Sequence, residues 1–249
     1  MSAAGAFLLA CGGGDSTENL STVAALGGNG ILGLGSFQAD CGLYCSLYLA
    51  NERYFSCPVS GCNATTVDTG RQLANPVARF TTDNNGVIIQ LPSVASGGAA
   101  SVDGWMIFGI GTRDNNGLGS ARIHTIDNQG FISATYKSAL YPQSFIDSGS
   151  NGLFFPDNSI PICDGSDVFY CPTSTLHLSA TITGENNASS TISFNVTDAS
   201  SLNSSFNAFN SLAGYYSSGF DWGLPFFFGR KVYTAIEGMP GIAAPYVAF

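Results

Sequence analysis

The sequence has few charged residues, and few of those are basic. Charged residues make up 10% of the 249 positions, with Lys+Arg 8 against Asp+Glu 17, which gives a net charge of −9. A protein that binds nucleic acid needs a basic surface to neutralise phosphates, so this composition excludes nucleic acid as a partner. No apolar run approaches the roughly 18 residues that a membrane-spanning helix requires.

Histidine is also scarce, which bears on metal binding. The sequence has His124 and His177 only, and each stands alone in a segment that alternates apolar and polar residues. We expect both to face solvent on strands. Cys41 and Cys45 have the spacing of half a zinc site, but neither histidine stands near them in the sequence. We therefore predict no metal and no cofactor.

Cysteines are present in a pattern that favours disulfides. Six of the seven form three pairs that are close in sequence, with turn residues between or beside their members. Closing short loops costs the least chain entropy, and such disulfides persist in an oxidising compartment. The predicted disulfides are Cys41–Cys45, Cys57–Cys62 and Cys163–Cys171.

The remaining cysteine, Cys11, ends a short apolar stretch and precedes three glycines. This pattern resembles a bacterial lipobox, in which the cysteine is lipidated and becomes the mature N-terminus. The resemblance implies a bacterial cell-envelope lipoprotein, periplasmic or in the outer membrane, associated with the membrane through a lipid on Cys11. Residues 1–28 would then be a truncated lipoprotein signal and a flexible tether.

Alternation of apolar and polar residues dominates the rest of the chain, and the 31 glycines indicate many tight turns. Turn signals such as residues 184–187 separate the alternating segments. Strands are predicted over residues 87–91, 105–108, 122–126, 131–136, 176–182 and 191–196, the last two joined as a hairpin. Only residues 44–49 and 205–212 invite a helix.

One segment carries a pattern associated with catalysis. It reads Asp147-Ser148-Gly149-Ser150 and lies between two apolar stretches. It resembles the catalytic loop of pepsin-like aspartic peptidases, Asp-Thr/Ser-Gly-Thr/Ser between two apolar strands. The resemblance implies that Asp147 is a catalytic carboxyl group at the floor of a cleft. The hydroxyl groups of Ser148 and Ser150 would orient carboxylates, while Gly149 lets the backbone turn closely beneath them.

Three further segments stand in the order that a pepsin would have. Residues 29–35 resemble the strand that ends the N-terminal lobe, residues 104–111 the strand that opens the C-terminal lobe, and residues 220–236 the closing segment. The run 29–249 also resembles a bacterial family of uncharacterised exported proteins. We therefore expect a mainly β, pepsin-like acid-protease barrel. Residues 29–100 would be a partial N-terminal lobe with two disulfide loops, and residues 101–249 a complete C-terminal lobe.

A peptidase of this kind needs two carboxyl groups about 3 Å apart that share one proton. No Asp-Thr/Ser-Gly stands before residue 31, where the resemblance places the first one. Asp68-Thr69-Gly70 is the remaining candidate, although no apolar strand follows its glycine and a surface turn suits it better. The other route to a dyad is a homodimer, in which each chain contributes one aspartate.

The sequence thus predicts an exported aspartic-peptidase-related protein that is inactive as a single chain. Two alternatives stay open. One is an active aspartic peptidase, acting on a peptide or protein, whose dyad pairs Asp147 with Asp68 or with a homodimer partner. The other is an envelope lipoprotein that binds a peptide or glycan without catalysis.

Overall fold

The computed structural model describes residues 23–26, 29, 33–49, 54–166 and 168–249. The prediction of a mainly β protein is confirmed. The described residues fall into two compact units, divided between Arg79 and Phe80, and each is described here by itself. Among the described residues, no helix has the length and apolar character needed for a membrane span.

In the part of the first unit that the structure describes, regular elements are short, and disulfides and the side chain of one glutamine join them. Its elements are α1 (Val23–Leu26), α2 (Gly42–Leu47), the antiparallel strands β1 (Phe55–Ser56) and β2 (Asn63–Ala64), and 3-10 turns at Thr69–Arg71 and Val77–Arg79. The buried side chain of Gln72 accepts a hydrogen bond from the Cys41 N–H. It also donates to the carbonyl groups of Gly42 and Val67, at 2.8 and 2.9 Å. These three bonds tie α2 to the turn that follows it.

The second unit contains two sheets. Its elements are β3 (Gly86–Gln90), β4 (Trp105–Phe108), β5 (Ile123–Thr125), β6 (Ile132–Tyr136), β7 (Ala139–Ile146), β8 (Leu153–Phe154), β9 (Leu176–Thr183), β10 (Ser189–Val196), a 3-10 turn at Ala199–Ser201, β11 (Ala213–Gly214), β12 (Asp221–Trp222), α3 (Leu224–Phe227), β13 (Lys231–Ala235) and β14 (Tyr246–Ala248). The smaller sheet has the order β4-β3-β13-β14-β5 and is antiparallel. β3 lies within residues 29–100, the range that the resemblance assigns to the first lobe.

The larger sheet positions the candidate site. Its order is β10-β9-β6-β7-β12-β8-β11, and it curves into a nearly closed, barrel-like layer. β12 lies between the two strands that flank the Asp147 loop, parallel to β7 and antiparallel to β8. A segment more than 70 residues later in the chain therefore passes between the two ends of that loop.

The core of this unit is aromatic. Phe155, Tyr170, Phe220 and Trp222 are fully buried, and the rings of Phe155, Phe220 and Trp222 stack in succession at 5.2 and 5.0 Å between centroids. Aromatic pairs at such distances add to the free energy gained by burial. This packing of Trp222 holds β12 against the sheet, and it therefore also fixes the position of Asp221 on the opposite face of the strand.

Each of the six strands predicted from the sequence agrees to within two residues with an observed strand: β3, β4, β5, β6, β9 and β10. The β9–β10 hairpin is confirmed, with Thr183 opposite Ser189 across the turn at residues 184–187. The first predicted helix exists as α2. The second, over residues 205–212, is wrong: Asn207 and Ala208 donate backbone hydrogen bonds to the Ala99 carbonyl instead. Long-range pairing outweighs local helix preference there.

The prediction that both histidines face solvent is half wrong. His177 is exposed on β9 and contacts the Asn195 side chain across the hairpin. His124 is fully buried, lies within hydrogen-bonding distance of the Ala188 carbonyl and the Ser190 hydroxyl, and stacks on Phe249. Burial lowers its pKa. The periodicity of β5 gave no sign that its outer face is covered by the β9–β10 hairpin.

Candidate acid–base site

The loop after β7 turns around the carboxyl group of Asp147. The Gly149 N–H donates to Asp147 Oδ1 at 2.7 Å, which closes a local turn of the kind that aspartate favours. A Cβ atom at position 149 would lie 3.0 Å from the same oxygen, so glycine allows this close approach. The Asp147 N–H donates to the Trp222 carbonyl at 3.1 Å. The backbone of Asp147 is thereby anchored to β12, and the residue is half-buried.

The hydroxyl group of Ser150 bridges two carboxyl groups. Its Oγ lies 2.9 Å from Asp147 Oδ2 and 2.6 Å from Asp221 Oδ2. A serine hydroxyl has one proton to donate and can accept from another donor. Both contacts are hydrogen bonds only when one of the two carboxyl groups carries a proton. The arrangement is therefore a chain of three groups that holds two protons, one on the Ser150 hydroxyl group and one on a carboxyl group.

The environment of Asp221 favours its protonated form. Its side chain is 8% exposed, and burial raises its pKa to about 6, assisted by the charge of Asp147 and opposed by the Ser150 hydrogen bond. Its Oδ1 is buried and has no hydrogen-bond partner among the described residues. Protonated Asp221 can donate to Ser150, which leaves the Ser150 proton for Asp147.

The backbone after Asp221 packs directly on the loop. A Cβ atom at Gly223 would lie 2.0 Å from the Gly152 carbonyl oxygen and 2.7 Å from that of Ser150, so only glycine fits there. The Leu224 N–H donates to the Ser150 carbonyl at 2.7 Å. These contacts hold Ser150 at the distance at which its side chain reaches both aspartates.

The residues predicted from the sequence fall in different parts of the molecule. Asp147, Gly149 and Ser150 lie together, while the Ser148 side chain is exposed and Asp147 accepts no hydrogen bond from it. Asp68 belongs to the first unit, in an exposed 3-10 turn where its carbonyl accepts from the Arg71 N–H at 2.8 Å. Cys11 and residues 30–32 of the segment 29–35 lie outside the described residues.

The cysteines pair as the sequence predicts, with disulfides at Cys41–Cys45, Cys57–Cys62 and Cys163–Cys171. Cys163, Cys171 and Asp198 bring possible metal-ligand atoms within 4.8 Å of one another. Because the two sulfur atoms are bonded to each other, neither is a thiolate that could bind a metal. This cluster is accounted for as a disulfide beside a turn.

Asp221 is the residue that sequence reasoning missed. It was visible in the sequence as the one charged residue in the apolar run 219–229. Burying a carboxyl group in such a run is costly unless it is neutral or hydrogen-bonded. An isolated aspartate inside a core segment was therefore the signal for a second member of the site.

Comparison with known proteins gives a family. No curated protein matches the sequence significantly. The family model described as "Protein of unknown function (DUF3443)" matches residues 2–249. The chain therefore belongs to this family of proteins of unknown function.

Proposed function

We propose that the chain is related to aspartic peptidases and that Asp147 supplies one carboxyl group of a peptidase-type site. The observation that supports this is the setting of Asp147 at the end of β7. Gly149 and Ser150 donate to its two oxygens, and β12 passes between the strands that flank the loop. In peptidases of this type one carboxylate activates a water molecule while the other donates a proton.

Asp221 does not suit the role of the second catalytic carboxyl group. It is buried, its Oδ2 faces Ser150, and its Oδ1 is closed off from solvent, so neither oxygen can reach a substrate. We propose that Asp221 is a positioning residue that orients Ser150 and, through it, Asp147. Residues 80–249 alone would then hold one substrate-facing carboxyl group, and a single chain would not hydrolyse peptides.

The test is peptide hydrolysis by the purified chain between pH 3 and pH 7, over a range of protein concentrations. We expect no hydrolysis that depends on Asp147. Hydrolysis that Asp147→Asn abolishes would overturn the proposed inactivity. A rate per chain that rises with concentration would then point to a homodimer, and loss of activity in Asp68→Asn would point to Asp68.

A second measurement tests the relationship to peptidases itself. A statine-type peptide carries a hydroxyl group that mimics the attacking water, so at pH 4 it should shift the NMR signal of the Gly149 N–H. The Asp147→Asn variant should show a smaller shift. An unchanged Gly149 signal at millimolar statine would contradict peptidase-type recognition at this loop.

We also propose that the protein is exported to a bacterial cell envelope and carries a lipid on Cys11. Disulfides persist in oxidising compartments, and three are formed by the described cysteines. Mass spectrometry of the N-terminal peptide from membrane fractions should show acylated Cys11, and alkylation without a reductant should leave the other six cysteines unmodified. An unmodified Cys11 thiol or six alkylated cysteines would contradict this proposal.

A further inference from the structure

A cavity lies on the face of β12 opposite to Asp221. Successive residues of a strand point to opposite faces, so Trp222 faces away from the carboxyl groups. The cavity has a volume of about 170 Å³. Its walls include aromatic rings, aliphatic side chains and four polar residues, Ser193, Asn195, Asn210 and Arg230; the aromatic residues are Phe194, Trp222, Phe226 and Phe228.

Arg230 brings a positive charge to this cavity without a counter-charge. Its Nη1 donates to the Phe226 carbonyl at 2.6 Å, and its guanidinium lies 4.8 Å from the centroid of the Phe226 ring. The ion pairs found among the described residues join Arg113 to Asp83 and Lys137 to Asp157, so Arg230 has no acidic partner in that part of the chain. Burial lowers the pKa of Arg230. A half-buried cation of this kind gains from a nearby anion.

Two further polar atoms of the wall have no hydrogen-bond partner in the described part of the chain. They are Asn210 Oδ1, whose amide nitrogen donates to the Val94 carbonyl at 2.7 Å, and the indole Nε1 of Trp222. An unpaired buried polar group costs about 1–3 kcal/mol. Both atoms have less than 1 Å² of accessible surface, so a ligand in the cavity reaches them only if the wall moves, and the binding argument rests on Arg230.

We propose that this cavity binds a small carboxylate carried on a flat apolar body. A guanidinium matches the geometry of a carboxylate through two parallel hydrogen bonds, and the aromatic rings match an apolar ring or chain. An apolar cavity of about 150 Å³ accommodates benzene, whereas pockets for drug-sized ligands run from about 300 to 1,000 Å³. The volume therefore limits the ligand to about one ring and its carboxylate, either a free acid or the carboxyl end of a peptide.

Trp222 provides the readout. The sequence has two tryptophans, and the other, Trp105, is 71% exposed on β4, so Trp105→Phe leaves Trp222 as the single fluorophore. Benzoate added at pH 7 should change its fluorescence with saturation, and neutral benzamide should bind at least tenfold more weakly. Equal binding of benzamide, or no saturable change, would overturn the proposal.

Variants made in the Trp105→Phe background test whether Arg230 supplies the positive charge that binds benzoate. Arg230→Gln should weaken benzoate at least tenfold, whereas Arg122→Gln, an exposed arginine beside β5, should leave it unchanged. Arg230→Lys keeps the positive charge but cannot form two parallel hydrogen bonds, and it should bind benzoate with intermediate affinity. If Arg230→Gln fails to fold, as judged by circular dichroism, the lysine variant provides the test. An unchanged benzoate affinity in Arg230→Lys would contradict the proposal that the guanidinium holds the carboxylate through two parallel hydrogen bonds.

Competition separates the two sources of carboxylate. A dipeptide ending in free phenylalanine should displace benzoate, and its amidated form should not, if the cavity takes peptide ends. If neither the free nor the amidated dipeptide displaces bound benzoate, the cavity binds free acids and not peptide ends. Displacement by inorganic phosphate as effective as by benzoate would show a general anion site and contradict the carboxylate assignment.

Discussion

Asp157 and Asp221 are carboxyl groups of the second unit with almost equal exposure, 7% and 8%, yet their pKa values move in opposite directions. Burial acts to raise the pKa of Asp157, but hydrogen bonds from Ser159, Lys137 and Tyr136 outweigh it and lower the value to about 2. Asp221 has Ser150 alone, and its pKa rises to about 6. Burial alone therefore does not decide the charge of these groups; the number of donors does.

The difference separates a structural carboxylate from a group suited to proton transfer. Asp157 accepts from Tyr136 Oη at 2.7 Å and from Lys137 Nζ at 2.9 Å, and it stays charged at any physiological pH. Asp221 changes its protonation near pH 6 and lies one hydroxyl group away from the half-buried Asp147. Tunable groups of this kind concentrate at functional sites.

The largest effect should come from removing the well-bonded carboxylate. Asp157→Ala leaves the buried Tyr136 hydroxyl without its acceptor, and we expect the free energy of unfolding at pH 7 to fall by about 3 kcal/mol. Urea denaturation measures it. Lys137→Ala is the matched control and should cost less than about 1 kcal/mol, because the lysine side chain is 56% exposed. Equal losses of unfolding free energy in the two variants would show that the ion pair, and not the Tyr136 hydrogen bond, provides the stability.

The next effect is the pH dependence of Asp221. Its pKa is higher in the folded state than the ordinary 3.8, so the folded state holds the proton more tightly and stability falls as pH rises from about 4 to 6. Asp221→Asn removes this loss. Two pKa units correspond to about 3 kcal/mol, and solvent near the half-buried Asp147 screens part of it. We expect the variant to gain about 2 kcal/mol over the native protein between pH 4 and pH 7.

Urea denaturation of both proteins at several pH values checks this gain. Parallel stability curves across that range would contradict a raised Asp221 pKa. For Asp157, whose pKa is lowered, the sign is opposite: its contribution is present above about pH 4 and is lost as the pH falls towards 2.

Breaking the bridge should have a smaller effect on stability but a diagnostic one on titration. Ser150→Ala removes the hydrogen bond that lowers the Asp221 pKa, so that pKa should rise further, with a stability loss of about 1 kcal/mol. Carbon-13 NMR of the carboxyl groups measures the pKa. Ser148→Ala removes the exposed neighbouring hydroxyl and should shift nothing; the same titration in both variants would argue against the bridge.

The smallest effect belongs to an exposed carboxylate. Asp68 lies in the 3-10 turn of the first unit, and Asp68→Asn should change the unfolding free energy by less than about 0.5 kcal/mol. Thermal denaturation at pH 7 tests this. A larger loss would show that Asp68 belongs with the bonded carboxylates.

Local patterns predicted the strands well and the site in part. The β9–β10 hairpin followed from alternation and a turn signal, and Asp147 with Gly149 and Ser150 followed from a short contiguous segment whose bonds are local. Asp221 stands 71 residues after Ser150. Its approach depends on β12 entering the sheet beside β7, which no local pattern encodes. His124 was misjudged for the same reason, since the hairpin that covers it is distant in sequence.

The sequence by itself determined the β character, the three short disulfide loops and the loop of Asp147, because each depends on neighbouring residues and on short closures. Only the tertiary structure decided that Asp221 joins Asp147 through Ser150, and that Arg230 meets the aromatic wall behind β12. The physical reason is that β12 is a two-residue strand fixed by distant partners: Phe145 and Ile146 on one side and Phe154 on the other. The Asp221 side chain therefore lies on the face of the strand that carries the carboxyl groups, and the Trp222 side chain lies on the face that lines the cavity.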